Sequence, residues 1–299
     1  MDFLEKKPEK KDRHEKISPT ALGVAYRRTL SDIPYSTEIF GELQEIVHRT
    51  RSAEELAVLE SLRLPEITPM FEARYKLTNR LLAENKTNQV LEIAAGFSPR
   101  GIEMAQDPSI QYVELDLPGV TNEKRAILEK LIGQSKIPKQ ENLHLEEGNA
   151  TEMGDLERAV KHFKQEPINV INEGLLRYLS FEEKTKLAQS IHALLERFGG
   201  TWITPDISTQ SLDSFGGDER MKGQNANVER LTGIDFSKNN FESVEAAQKF
   251  FEDLGFSVEI HNFKEIADEL VSPQKLNLSP EQVEKIIGRR VVFVMRLRE

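Results

Sequence analysis

The chain has 299 residues, 38% of them hydrophobic, no cysteine and a formal net charge of −10 at pH 7. That is enough apolar material for one large domain, or a domain with a cap. It excludes disulfides, thiolate metal sites and cysteine nucleophiles. It also argues against a nucleic-acid surface, which needs clustered Lys and Arg to displace counterions.

Residues 1–17 are charged with mixed sign and poor in apolar side chains, which predicts a disordered tail or a frayed helix. They hold no apolar stretch of the kind a secretory signal needs, and no run in the chain approaches the ~20 apolar residues of a membrane span. The expectation is a cytoplasmic protein with no membrane partner. Residues 18–85 read as a helical cap, with Leu56, Leu59, Leu62 and Leu64 supplying apolar surface and Pro34, Pro65 and Pro69 punctuating it. The rhythm then changes. Strands are predicted at Gln89–Ala94, Gln111–Leu115, Asn142–Glu146, Ile168–Ile171 and Thr201–Thr204, each followed by or alternating with an amphipathic helix. Ser98-Pro99 suits an N-cap and first helical position. Ser180-Phe181-Glu182-Glu183 has capping-box form and opens a helix carrying Leu187, Ile191, Leu194 and Leu195, stopped by Gly199-Gly200. Residues 206–242 break the alternation with polar, glycine-containing sequence and are expected to form an inserted lid. A helix at Val244–Leu254, a strand at Phe256–His261, a polar helical insertion begun by Ser279-Pro280 and a last strand at Val291–Leu297 complete the chain. The predicted fold is α/β: a Rossmann-like, mostly parallel seven-stranded sheet over residues 86–299, with an N-terminal helical cap.

Three features fall at carboxyl ends of predicted strands, where ligands bind in such sheets. The first is the loop Glu92-Ile93-Ala94-Ala95-Gly96-Phe97-Ser98-Pro99-Arg100-Gly101, where glycine permits close backbone approach and a helix start presents unpaired N–H groups. The second is Asp116, about twenty residues on, an acid placed to accept from ribose hydroxyls. The third is Gly148-Asn149, with an amide able to meet an adenine edge. The loop lacks the G-x-G-x-x-G of dinucleotide sites and the Gly-Lys-Ser/Thr of a P-loop. A loop without a phosphate cradle suits a nucleoside with no phosphate, of which S-adenosylmethionine is one. The six histidines show no metal-ligand spacing, and no metal is expected. Trp202 and His192 read as packing residues.

The segments SPTALGVAYRRTLSDIPYS, PEITPMFEARY, VLEIAAGFSPRG, YVELDLPGV with Lys124 after it, and INEGLLRYLSFEE give the chain its resemblance to the leucine carboxyl methyltransferase family, from about Ser18 onward. The family includes bacterial O-methyltransferases linked to polyketide synthesis, and a eukaryotic branch that methylates a C-terminal leucine carboxylate of a protein phosphatase. The resemblance implies a class I S-adenosylmethionine-dependent enzyme. It assigns Glu92, Ala94, Gly96, Asp116, Leu117, Asn149, Ala150 and Glu173 to the cofactor, and Arg74 to the cofactor's methionine carboxylate. It sets Glu173 and Tyr178 along the methyl-transfer site, with Arg27 and Arg28 as a basic pair at the acceptor. Tyr178 and Arg28 are the expected catalytic residues. One departure stands out: Ala94 replaces the first glycine of the family's acid-x-G-x-G loop, and alanine keeps that turn only at an ordinary φ.

Methyl transfer from a sulfonium is an in-line displacement in which the protein supplies positioning and desolvation. A carboxylate acceptor is already ionised at pH 7 and needs a cation beside it, which arginine supplies in bidentate form. A hydroxyl acceptor needs a base, and no His–acid pair is evident near the rim. The expected acceptor is therefore a small molecule or peptide carrying a carboxylate or hydroxyl. An NAD-dependent oxidoreductase and a non-catalytic module remain as readings of the same fold. A nucleic-acid methyltransferase is disfavoured by the acidic charge and the lack of an N/D-P-P-Y/F tetrad. Oligomeric state is open.

Overall fold

The computed structural model describes residues 19–50, 63–210 and 234–298, with isolated positions at 52, 56, 60, 226 and 229. The tail expected over 1–17 and most of the lid expected over 206–242 lie outside the described residues. Among the described residues, no helix is long and apolar enough to cross a membrane.

A seven-stranded sheet organises the chain. Its strands are β1 (Gln89–Ile93), β2 (Gln111–Asp116), β3 (Leu143–Glu147), β4 (Ile168–Asn172), β5 (Gly200–Thr204), β6 (Phe256–Asn262) and β7 (Val291–Leu297), in the order β3-β2-β1-β4-β5-β7-β6. The first five run parallel, and β7 lies antiparallel to both β5 and β6. All seven predicted strands form, within one or two residues of their predicted ends. The apolar runs decide this: β1 and β4 are buried along their whole length, as strands covered on both faces must be. The order reverses between β1 and β4, which opens a crevice above their carboxyl ends.

Helices cover both faces, short ones among them being α4 (Arg100–Met104), α6 (Met153–Ala159) and α8 (Phe236–Asn239). On one side α7 (Phe181–Phe198) and α9 (Val244–Asp253) pack Leu187, Ile191, Leu194 and Phe251 against Val170, Trp202 and Phe293. On the other, α3 (Thr68–Glu84) lays Ala73, Leu77 and Leu81 against Val90, Ile171 and Ile203. Helices α1 (Pro19–Thr29) and α2 (Ser36–Thr50) pack on each other, α1 also on α3 and α2 on α5 (Pro118–Gly133), placing Leu22, Leu43 and Val47 in one apolar cluster with Ile127, Leu128 and Leu131.

Helix α7 carries the predicted capping box, with Ser180 and Glu183 each bonded to the other's backbone. Its end reverses through Gly199 (φ +75°) and Gly200 (φ +106°) straight into β5. At the rim of β1, however, the short α4 (Arg100–Met104) starts one residue later than predicted. Pro99 is its N-cap rather than its first residue, and Ser98 Oγ accepts from Arg100 N at 3.3 Å.

Candidate active site

The loop after β1 is fixed from two sides. Ala94 N donates to Leu115 O at 2.7 Å, which ties the loop's first residue to β2. Asp116, at the end of β2, accepts from Gly96 N at 2.6 Å and Leu117 N at 2.7 Å, one with each carboxylate oxygen. Burial pushes the Asp116 carboxyl above its usual range, opposed by those two backbone bonds. From α5, Lys124 reaches under the loop to Ser98 O at 2.7 Å and pairs with Glu114 of β2 at 2.5 Å. Burial raises Glu114 to about 7, with Lys124 opposing and Glu92 on the neighbouring strand adding to it.

The turn adopts left-handed backbone at Ala94 (φ +53°) and Gly96 (φ +54°). The expectation that alanine needs an ordinary φ there is overturned: Ala94 takes up the glycine conformation, held by its bond to Leu115. After β3, Gly148 has no room for a side chain, because a Cβ would come within 2.7 Å of Asp155 and 2.9 Å of Leu115. Asn149 is exposed and its Oδ1 already accepts from Thr151 N and Oγ1, at 3.0 and 2.9 Å. Part of the amide expected at an adenine edge therefore shapes its own turn. Ala150 is buried beside it.

The rim of β4 is dominated by charge. Glu173 follows the strand directly, and three arginines converge on it. Arg28 Nη2 reaches Oε1 at 2.6 Å, Arg74 Nη2 reaches the same oxygen at 2.9 Å, and Arg100 Nη2 reaches Oε2 at 2.7 Å. These cations hold the Glu173 carboxyl far below the usual range despite its burial. Arg100 is fully buried and continues to Glu92 at 2.5 Å and to Asn79 Oδ1 at 2.7 Å, and it lies 4.5 Å over the ring of Tyr75. Glu92 also accepts from Tyr112 Oη at 2.7 Å. Three guanidinium groups thus share two carboxylates. Among the described residues, the buried Nε atoms of Arg28 and Arg74 have no hydrogen-bond partner.

The structure therefore brings Arg28, Arg74, Glu92 and Glu173 into one cluster, beside the Gly96–Asp116 loop. Arg27 is buried next to it but points elsewhere: its Nε donates to Leu64 O at 3.2 Å, and its guanidinium lies 4.8 Å from the Phe71 ring that Arg74 faces at 4.9 Å. Burial lowers Arg27 to about 10, with Glu66 opposing and Arg74 reinforcing the shift. Tyr178 packs edge-on against Phe236. Asp32, close in sequence to Arg27 and Arg28, pairs with Lys76 at 2.7 Å. Among the described residues His–acid pairs form at His192 with Glu196, at His261 with Glu259 and Glu265, and at His162 with Glu146 at 2.7 Å, where His144 stacks on His162. The Glu146 pair belongs to β3, three strands from β4 and so roughly 14 Å away at normal strand spacing. Sequence reasoning missed Arg100, Asn172 and Asp206. Asp206 lies just past β5, inside the range read as lid, yet is buried, and its carboxylate accepts from Asn172 Nδ2, Gly174 N and Leu175 N.

The strand order and the glycine-bearing loop over its reversal define an α/β methyltransferase fold. The sequence model of the leucine carboxyl methyltransferase family matches residues 30–192, more than half of the chain. The chain belongs to this family, and its cofactor is S-adenosylmethionine. Among solved structures, a DUF574-family protein from Streptomyces avermitilis is 16% identical, covers 93% of this chain and 97% of its own length, and has a TM-score of 0.56. That likeness establishes the shared fold. An S-adenosylmethionine-dependent methyltransferase from Anabaena variabilis matches at 15% identity over 75% of this chain and 84% of its own, TM-score 0.48. An O-methyltransferase assignment accompanies a Nostoc punctiforme structure at 16% identity over 92% and 72%, TM-score 0.48. No curated protein sequence matches the chain.

Proposed function

We propose that the protein transfers the methyl group to an oxygen of an anionic acceptor, a carboxylate on a small molecule or a peptide C-terminus. One observation supports this reading: among the described residues, the cluster around Glu173 is short of negative charge, and two of its guanidinium groups keep buried Nε donors unsatisfied. Burying cations without matching anions is unfavourable, and a buried donor left unmade costs about 1–3 kcal/mol. A ligand bearing carboxylates relieves both. S-adenosylmethionine, when bound, supplies a methyl group on an activated sulfonium and a carboxylate of its own.

In this reading Asp116 receives the ribose, with its two backbone bonds fixing the carboxylate's direction. Asn149 and Ala150 border the base, and Arg74 takes the cofactor's carboxylate. Arg28, held by Glu173, faces the acceptor anion, with Arg27 adding positive potential from beside Phe71. Tyr178 lines the approach. No base is needed for a carboxylate, and among the described residues no histidine pairs with Glu173 or Asp116. A cytoplasmic location and a separate cap and lid belong to the same proposal.

The test uses cofactor labelled in its methyl group and a panel of carboxylate and phenol acceptors. A carboxylate product is a methyl ester, which mild alkali hydrolyses to labelled methanol. Volatile label after alkali supports the reading. Transferred label that stays alkali-stable would overturn the carboxylate while leaving methyl transfer intact.

A further inference from the structure

The segment that carries Glu173 is not held by the sheet ladder. It leaves β4 through Gly174, which has φ +86°, and runs into a short 3-10 turn at Leu176–Tyr178. Its backbone amides are held by one side chain just past β5. The Asp206 carboxylate accepts from Gly174 N at 2.6 Å with Oδ1, and from Leu175 N at 2.6 Å, Leu176 N at 3.3 Å and Asn172 Nδ2 at 2.8 Å with Oδ2. Asp206 N is itself fixed, donating to Thr204 Oγ1 at 3.2 Å. Asn172 is fixed in turn, since its Oδ1 accepts from Trp202 Nε1 at 2.8 Å. The four described hydrogen-bond partners of the Asp206 carboxylate are all donors, and a carboxylate is the side-chain group that only accepts.

We propose that Asp206 is a positioning residue for the transfer site: through the 174–176 amides it sets the direction of Glu173, and through Glu173 the placement of Arg28, Arg74 and Arg100. This rests on the proposal that this cluster receives the cofactor. Amide bonds flanking Glu173 fix where its Cα sits, and three guanidinium groups at 2.6–2.9 Å leave little tolerance for a shift of that Cα. Charge-assisted bonds of this kind are short and directional. Trp202, the chain's single tryptophan, sits at the far end of the same network and reports on it.

Asp206→Asn is the informative change. It keeps the shape but turns one acceptor into an NH₂ facing backbone donors, whereas Asn172 cannot flip to compensate without turning its own NH₂ on Trp202. The experiment measures S-adenosylhomocysteine binding by calorimetry for wild type, D206N, E173Q and the double variant, with thermal melts and Trp202 emission alongside. The expected result is a folded D206N with shifted Trp202 emission and at least tenfold weaker binding, and a double variant no weaker than E173Q alone. Non-additivity is the mark of one residue acting through the other. Wild-type affinity in D206N, or losses that add in full, would overturn the role of Asp206. If D206N does not fold, Asn172→Ser breaks the link from Trp202 to Asp206 and is carried through the same cycle with the same criteria. Absence of binding by wild type would instead overturn the reading of the cluster as the cofactor site.

Discussion

Ala94 occupies left-handed backbone that costs an L-residue with a Cβ roughly 1–2 kcal/mol. Glycine removes that strain but loses more entropy on folding. Ala94→Gly should therefore stabilise the protein by roughly 0.5–1 kcal/mol, read as a higher urea midpoint. An unchanged or lower midpoint would show that the turn is relaxed as it stands. Glu114 offers a second test. Its carboxyl is raised from 4.5 to about 7 in the folded protein, chiefly by burial. A raised carboxyl binds its proton more tightly folded than unfolded, so its contribution is complete below about pH 4.5 and is lost as pH rises through 7. Urea midpoints of wild type and Glu114→Gln should diverge across that window, the variant falling less steeply. Parallel curves would remove Glu114 as the source. Both residues lay in motifs that could be quoted from the sequence, and so did Arg100, whose role could not be. Arginine is mostly exposed in proteins, and nothing in S-P-R-G announces that this one is fully buried between Glu92 and Glu173.

The strands were readable because short apolar runs bounded by turn residues have few other solutions once five of them alternate with helices. The capping box before α7 was readable for the same reason, a local pattern with a local cause. Asp206 was not. It follows a strand in a polar stretch, and its partners are backbone amides 30–32 residues away, which no spacing rule reveals. The passage from α7 to β5 makes its own prediction. Gly200 has φ +106°, and a Cβ there would fall inside the van der Waals shell of the Ile168 carbonyl oxygen on β4. Gly200→Ala must either open the β4–β5 pairing or carry strain, at about 3 kcal/mol or more. Chemical denaturation should show it; a loss under 1 kcal/mol would mean that the turn can rearrange.

Taken whole, the molecule couples ligand to stability. At 100 times its dissociation constant, a ligand that binds only the folded state adds about 2.7 kcal/mol, and for a domain of this size that is on the order of 5 °C in melting temperature. S-adenosylhomocysteine should produce such a shift and NAD none, in a thermal melt at matched concentrations. A shift with NAD alone would contradict the cofactor assignment. The same architecture bears on how the chain reaches its native state. Arg28 and its anchor Glu173 are 145 positions apart, and Glu72 of α3 accepts from Val271 N and Ser272 N, 199 and 200 positions away. During synthesis the N-terminal helices emerge first, carrying buried-to-be arginines whose counter-charge does not yet exist. They cannot settle until most of the sheet has followed. Contacts of such sequence separation fold slowly, so docking of α1 should be a late kinetic phase, following the burial of Trp202. Stopped-flow refolding with a fluorophore on α2 would place the two events in time, and simultaneous phases would refute the order.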